Sequence, residues 1–125
     1  MMDVTHKGGC HCGAVTFLVK APEVIDAITC NCSICSMTGF SHLIVKKDAF
    51  TLLSGEEHLT TYKFNTKTAK HLFCAKCGVK SFYVPRSHPD GYSVNVQCLD
   101  KKTIKGIVSK NFDGAHWEDH IIEIS

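Results

Sequence analysis

Seven of the eight cysteines in this 125-residue chain fall into three short clusters, and nothing else in the sequence restricts the fold so strongly. The clusters are Cys10-His11-Cys12, Cys30-Asn31-Cys32-Ser33-Ile34-Cys35 and Cys74-Ala75-Lys76-Cys77, with Cys98 standing apart. Cysteines one residue apart can turn both sulfurs to one side of the backbone, and cysteines two residues apart can do so across a tight knuckle. Zinc needs such pairs: Zn–S bonds of roughly 2.3 Å hold tetrahedral sulfurs less than about 4 Å apart, and a close pair requires little further chain closure. A disulfide framework is the rival, since eight cysteines allow about 105 pairings. Against it, cysteines one residue apart do not readily bond to each other, and Met1-Met2-Asp3-Val4-Thr5-His6 offers no apolar signal core.

The length suits one domain, residues 1–125, with its own core. A composition of 44% hydrophobic and 21% charged residues fits a globular protein rather than a disordered or fibrous one. Apolar runs are only a few residues long, far below a membrane span. The expected location is therefore intracellular, in the cytoplasm with the nucleus also open, where thiols stay reduced. Seven thiolates set against two Zn²⁺ ions would take the formal charge of +2 to about −1. The small basic groups Lys46-Lys47, Lys101-Lys102, Lys105 and Lys110 then read as solvated faces, and nucleic-acid binding is disfavoured.

Along the chain, a polar lead ending in His6-Lys7-Gly8-Gly9 gives a flexible approach to the first cluster. Short strands follow at residues 14–19, 25–29, 42–45, 50–53, 59–64, 70–73, 79–84 and 92–96, rich in β-branched and aromatic residues and separated by turn signals. Residues 36–40 read as a turn or brief helical segment. A short helix is expected from Asp100, a good N-cap, with Ile104, Ile107 and Val108 on one face. Trp117 and Ile121-Ile122 could anchor the C-terminal end to the core. The fold class is mainly β, built from small antiparallel hairpins, with zinc making up for a thin core.

Cys10, Cys12, Cys74 and Cys77 form a complete four-thiolate set in two pairs, the usual form of a closed structural zinc site. Cys30, Cys32 and Cys35 make an incomplete shell, and three protein ligands with one exchangeable position is the pattern of a catalytic zinc. Three thiolates make the ion a soft, weak acid, so its natural fourth ligand is a substrate sulfur. Closure of this site by Cys98, His42 or another side chain, or three empty buried thiols, is the competing outcome.

The stretches Lys7-Gly8-Gly9-Cys10-His11-Cys12-Gly13-Ala14-Val15-Thr16-Phe17, Cys30 to Cys35 and Phe73-Cys74-Ala75-Lys76-Cys77-Gly78 resemble the glutathione-dependent formaldehyde-activating enzyme family. Within it, His58-Leu59-Thr60-Thr61-Tyr62-Lys63-Phe64-Asn65-Thr66, Pro85-Arg86-Ser87 and Cys98-Leu99-Asp100 are similar to the centromere protein V domain. The resemblance implies a β-tent of small antiparallel sheets, a structural zinc on Cys10, Cys12, Cys74 and Cys77, and a second zinc on Cys30, Cys32 and Cys35. It also implies carbon–sulfur lyase chemistry, the reversible joining of formaldehyde to glutathione as S-hydroxymethylglutathione. Asn31 stands where the family usually carries histidine, which spares the ligands but removes an acid–base group.

The expected function is thus a zinc-dependent lyase acting on adducts of glutathione, or another small thiol, with aldehydes. His42, His71, Tyr62 and His88 are candidates to move the hydroxyl proton, and Arg86 could hold a glutathione carboxylate through its fork. The alternative is a non-enzymatic zinc scaffold that binds a protein or chromatin partner.

Overall fold

The strand Thr16–Pro22 (β2) shows how the sequence builds its sheets: Phe17, Val19 and Ala21 alternate with more exposed neighbours and all three are buried. The computed structural model describes residues 3–30, 33–63, 70–85 and 90–112, apart from the side chains of 33 and 112. Before β2 runs Asp3–Gly9 (β1), and after it come Val24–Cys30 (β3), the short helix Ser33–Thr38 (α1), Ser41–Lys46 (β4) and Phe50–Ser54 (β5). Leu59–Tyr62 (β6), Lys70–Cys74 (β7), Phe82–Val84 (β8), Gly91–Asn95 (β9) and Gly106–Phe112 (β10) complete the order. Two sheets result, one of three strands in the order β1-β2-β5 and one of seven in the order β10-β3-β4-β9-β8-β7-β6. The fold is mainly β, and every described pairing is antiparallel except that of β10 with β3.

Aromatic side chains join the sheets. Phe17 and Phe50, from the three-stranded sheet, lie 5.6 and 4.7 Å from Phe82, and Phe50 stacks on Tyr92 at 4.4 Å. Such contacts contribute beyond the area they bury, and they fix the position of one sheet on the other.

Two expectations are corrected. Residues 3–9 are not a polar lead: β1 pairs with β2 along its whole length, from Asp3 opposite Pro22 to Gly9 opposite Thr16. Its inward position carries no aliphatic residue but His6, which is fully buried with Nδ1 2.7 Å from Thr103 Oγ1 and Nε2 3.0 Å from the Pro22 carbonyl. Gly8 belongs to this strand because a Cβ there would stand 2.7 Å from the Phe17 ring and 2.9 Å from Leu99 Cδ2.

The helix expected from Asp100 is the second correction. Asp100 does accept a hydrogen bond from the Lys102 N–H at 2.9 Å, but only the 3₁₀ turn Lys101–Thr103 follows. Gly106 and the β-branched Ile107 and Val108 continue instead as β10, parallel to β3, with both apolar side chains exposed. Three apolar residues at helical spacing are too few to override β-branching and a glycine in mid-segment. Lys105 helps to seat the strand, its N–H donating to the Glu23 carbonyl at 2.8 Å. The proposed anchors Trp117, Ile121 and Ile122 lie outside the described residues. Among the described residues no helix is long and apolar enough to cross a membrane.

Candidate metal centre and buried histidine cluster

Two knuckles of unequal spacing close in the same way. After β1, the Cys10 N–H donates to the Val15 carbonyl at 3.0 Å, and the Gly13 N–H, at φ 81°, donates back to the Cys10 carbonyl at 3.2 Å. At the end of β7, the Cys74 N–H donates to the Val79 carbonyl at 3.1 Å, and the Gly78 N–H, at φ 77°, donates back to the Cys74 carbonyl at 2.7 Å. The left-handed backbone at both glycines is what lets each loop turn within five residues.

Together the knuckles bring the sulfurs of Cys10, Cys12, Cys74 and Cys77 within 4.8 Å of one another. Cys12 Sγ lies 3.6 Å from Cys10 Sγ and 3.7 Å from Cys74 Sγ. A tetrahedron with metal–sulfur bonds of about 2.3 Å has edges of about 3.8 Å, so the cluster has the size and donor type to hold a metal ion. All four are free thiols, as is Cys98.

Electrostatics prepare three of these sulfurs unequally. The Cys77 N–H, and then that of Lys76, hold the Cys74 thiol below its ordinary range against the effect of burial. The N–H groups of Cys12 and Val79 lower Cys77 to about 6. Cys12 is the opposite case, raised to about 11: the Ala14 N–H favours its thiolate, but desolvation and the sulfurs of Cys10, Cys74 and Cys77 outweigh that help. Backbone dipoles support negative charge at Cys74 and Cys77, while desolvation and crowded sulfurs favour the proton on Cys12. A bound cation would release it.

Cys30 ends β3 and Cys35 is buried in α1, whereas Cys32 lies outside the described residues. Cys98 ends the 3₁₀ turn Val96–Cys98. Burial raises its thiol to about 11, with Cys10 adding to the rise, Lys101 opposing it and Cys77 adding a little more. Two of these neighbours, Cys10 and Cys77, belong to the four-thiol cluster.

A second grouping gathers side chains from four strands. His42 of β4 and His71 of β7 are 3% and 5% exposed. Both rings meet Tyr83 of β8: His71 stacks on it at 4.9 Å with an interplanar angle of 14°, and His42 meets it edge-on at 5.6 Å. His42 Nδ1 is 2.9 Å from Ser93 Oγ of β9 and 3.3 Å from Tyr83 Oη. Lys80, only 8% exposed, places Nζ 2.7 Å from His71 Nδ1, 4.0 Å from the Tyr83 ring centre and 5.0 Å from that of Phe40. Asn95 steadies the group: its Nδ2 donates to the Lys80 carbonyl at 3.3 Å while its Oδ1 accepts from the Gln97 N–H at 3.1 Å.

Phe40 ties this grouping to α1. Its N–H donates to the Cys35 carbonyl at 3.3 Å, and its ring lies 4.6 Å from His42 and 5.2 Å from Tyr83. Tyr62 stands opposite His71 in the β6–β7 register but is 52% exposed. Arg86 and His88 lie outside the described residues. Lys80, Tyr83 and Ser93 were not among the residues expected from sequence. Their one signal is a polar or hydroxylated side chain repeated within strand-like runs after the second knuckle.

The family model described as glutathione-dependent formaldehyde-activating enzyme matches residues 5–112. The chain belongs to this family. The match covers all three cysteine clusters and the histidine grouping together. A Halomonas elongata protein provisionally named as a glutathione-dependent formaldehyde-activating enzyme is 37% identical over 79 residues, which are 57% of this chain and 50% of that protein. The chain spans about half the length of this curated relative. A crystal structure of a Rhodobacter sphaeroides protein superposes with a TM-score of 0.71 at 36% identity, covering 83% of this chain and 99% of the other.

Proposed function

We propose that this protein is a zinc-dependent carbon–sulfur lyase acting on adducts of small aldehydes with glutathione or a similar thiol, of the S-hydroxymethylglutathione type. The observation that supports the reading is a family match over residues 5–112, a range that holds both knuckles and the histidine grouping. In this reading Cys10, Cys12, Cys74 and Cys77 hold a structural zinc, for which their spacing and donor chemistry fit. Cys30, Cys32 and Cys35 would hold a second one. When bound there, zinc would supply a soft cationic site that lowers the pKa of the substrate sulfur.

The chain's own residues then have a defined task. In the cleavage direction the adduct hydroxyl gives its proton to a base on the protein, a carbon–oxygen double bond forms, and the carbon–sulfur bond breaks with its electron pair passing to sulfur. Formaldehyde and thiolate leave. In the reverse direction the thiolate attacks the aldehyde carbon and the oxygen takes the proton back. His42, His71 and Tyr62 are the proposed proton-handling side chains. Both histidines are supported by burial, His42 also by its contact with Phe40, whose N–H donates to the Cys35 carbonyl, and His71 by stacking on Tyr83. Arg86 is the proposed fork for a glutathione carboxylate.

Exchange NMR between formaldehyde, glutathione and their adduct tests the reading on the zinc-loaded protein and its Cys32→Ser variant, with metal counted in parallel. Two zinc ions per wild-type chain, one labile to thiol, and exchange above the protein-free blank that Cys32→Ser removes are the expected results. Exchange equal to the blank would exclude the lyase for this substrate pair and leave a non-enzymatic zinc scaffold.

A further inference from the structure

Lys80 is the least expected member of the histidine grouping: a lysine almost fully enclosed, three residues beyond the second knuckle, with its backbone carbonyl gripped by Asn95. Its ammonium carries three donor hydrogens and no acceptor. At 2.7 Å from His71 Nδ1 the contact has the length of a charge-assisted hydrogen bond. The faces of Tyr83 and Phe40 lie 4.0 and 5.0 Å from Nζ, within the range at which a ring face attracts an ammonium. Lysine therefore donates and the imidazole accepts.

We infer that Lys80 is a positioning residue that occupies the Nδ1 lone pair of His71 and locks that ring as the neutral tautomer protonated at Nε2. Which nitrogen of a histidine carries the proton is decided by the hydrogen bond that the other one makes. Stacking against Tyr83 holds the ring plane at the same time. A histidine so fixed has only a donor to offer at Nε2. Resting on the lyase reading, this gives His71 the role of a hydrogen-bond donor to the aldehyde oxygen, where charge develops as the thiolate adds, and removes it as the base.

His42 differs in this respect. Its Nδ1 faces two hydroxyls, Ser93 Oγ at 2.9 Å and Tyr83 Oη at 3.3 Å, and a hydroxyl can donate or accept. Either tautomer of His42 is compatible with these partners. The proton-accepting role that His71 cannot fill is open to it.

The test uses the zinc-loaded full chain and the variants Lys80→Met and Lys80→Gln. Long-range proton–nitrogen NMR distinguishes protonated from unprotonated ring nitrogens, and reads the His71 tautomer whether or not the protein is active. The wild type should show an unprotonated Nδ1 and a protonated Nε2. Lys80→Met, which cannot donate, should give a mixture of tautomers, while Lys80→Gln, whose amide can donate, should restore the wild-type pattern. Formaldehyde–glutathione exchange should fall on the order of tenfold or more in Lys80→Met and recover substantially in Lys80→Gln.

A protonated Nδ1 in the wild type, or an unchanged His71 tautomer in folded Lys80→Met, would overturn the inference. If Lys80→Met fails to fold, the wild-type tautomer and Lys80→Gln decide it. A wild type without exchange above the blank but with the expected tautomers would defeat the lyase reading and leave the tautomer lock standing.

Discussion

Replacing Gly8 by alanine should damage the fold and the four-thiol cluster together. A Cβ at this position would lie 2.7 and 2.8 Å from two atoms of the Phe17 ring and 2.9 Å from Leu99 Cδ2, where carbon atoms settle at about 3.5–4.0 Å. Phe17 has no room to yield: it is fully buried and packed 5.1 Å from Phe50 and 5.6 Å from Phe82. Overpacking of this kind costs about 1–3 kcal/mol, and the better strand entropy of alanine returns about 0.5–1 kcal/mol. The net loss lies between about 0 and 2.5 kcal/mol, centred a little above 1 kcal/mol. Relief by shifting β1 would also move Cys10, two residues on, and disturb the hydrogen bond from the Asp100 N–H to the Lys7 carbonyl at 2.8 Å. Denaturant unfolding should therefore show a lower midpoint, and a chromogenic chelator should strip metal faster. Gly106→Ala is the control, because its new methyl would meet nothing closer than 3.8 Å. Gly8→Ala as stable as Gly106→Ala, with unchanged metal release, would refute the packing argument.

Cys74→Ser should abolish cooperative unfolding of the domain, whereas Cys32→Ser should mostly spare it; equal melting losses would contradict the division between a structural and an exchangeable site. Cys98 should alkylate slowly. With its thiol raised by burial to about 11 from an ordinary 9.0, it is protonated across neutral pH, so labelling at pH 8 should be roughly a hundredfold slower than for an unperturbed thiol. The rate should climb as pH rises toward 11, followed by mass spectrometry. Labelling of Cys98 at the rate of an exposed model thiol would show that the turn does not shield it.

The four-thiol cluster was legible because ligand spacing is a local property: both knuckles close on themselves within five residues, and their chemistry leaves little alternative use for paired sulfurs. Strands such as Thr16–Pro22 and Gly91–Asn95 were legible through alternation and β-branching. β1 was hidden because its buried position is a histidine satisfied by a threonine and a carbonyl, a pairing with no signature in sequence. β10 looked helical because a real N-cap at Asp100 preceded it, and the cap served a single turn. The histidine grouping was half visible. His42 and His71 could be named as titratable residues, but Lys80 gains its meaning only when β4, β7, β8 and β9 lie side by side.

The two knuckles belong to different sheets, and the sulfurs of Cys12 and Cys74 that meet at 3.7 Å are 62 residues apart in the chain. Each pair forms early and cheaply from its own loop, while the full set of four waits for that long separation to be closed by the docking of the aromatic faces. All four sulfurs are thus offered to an ion only once the two sheets have met.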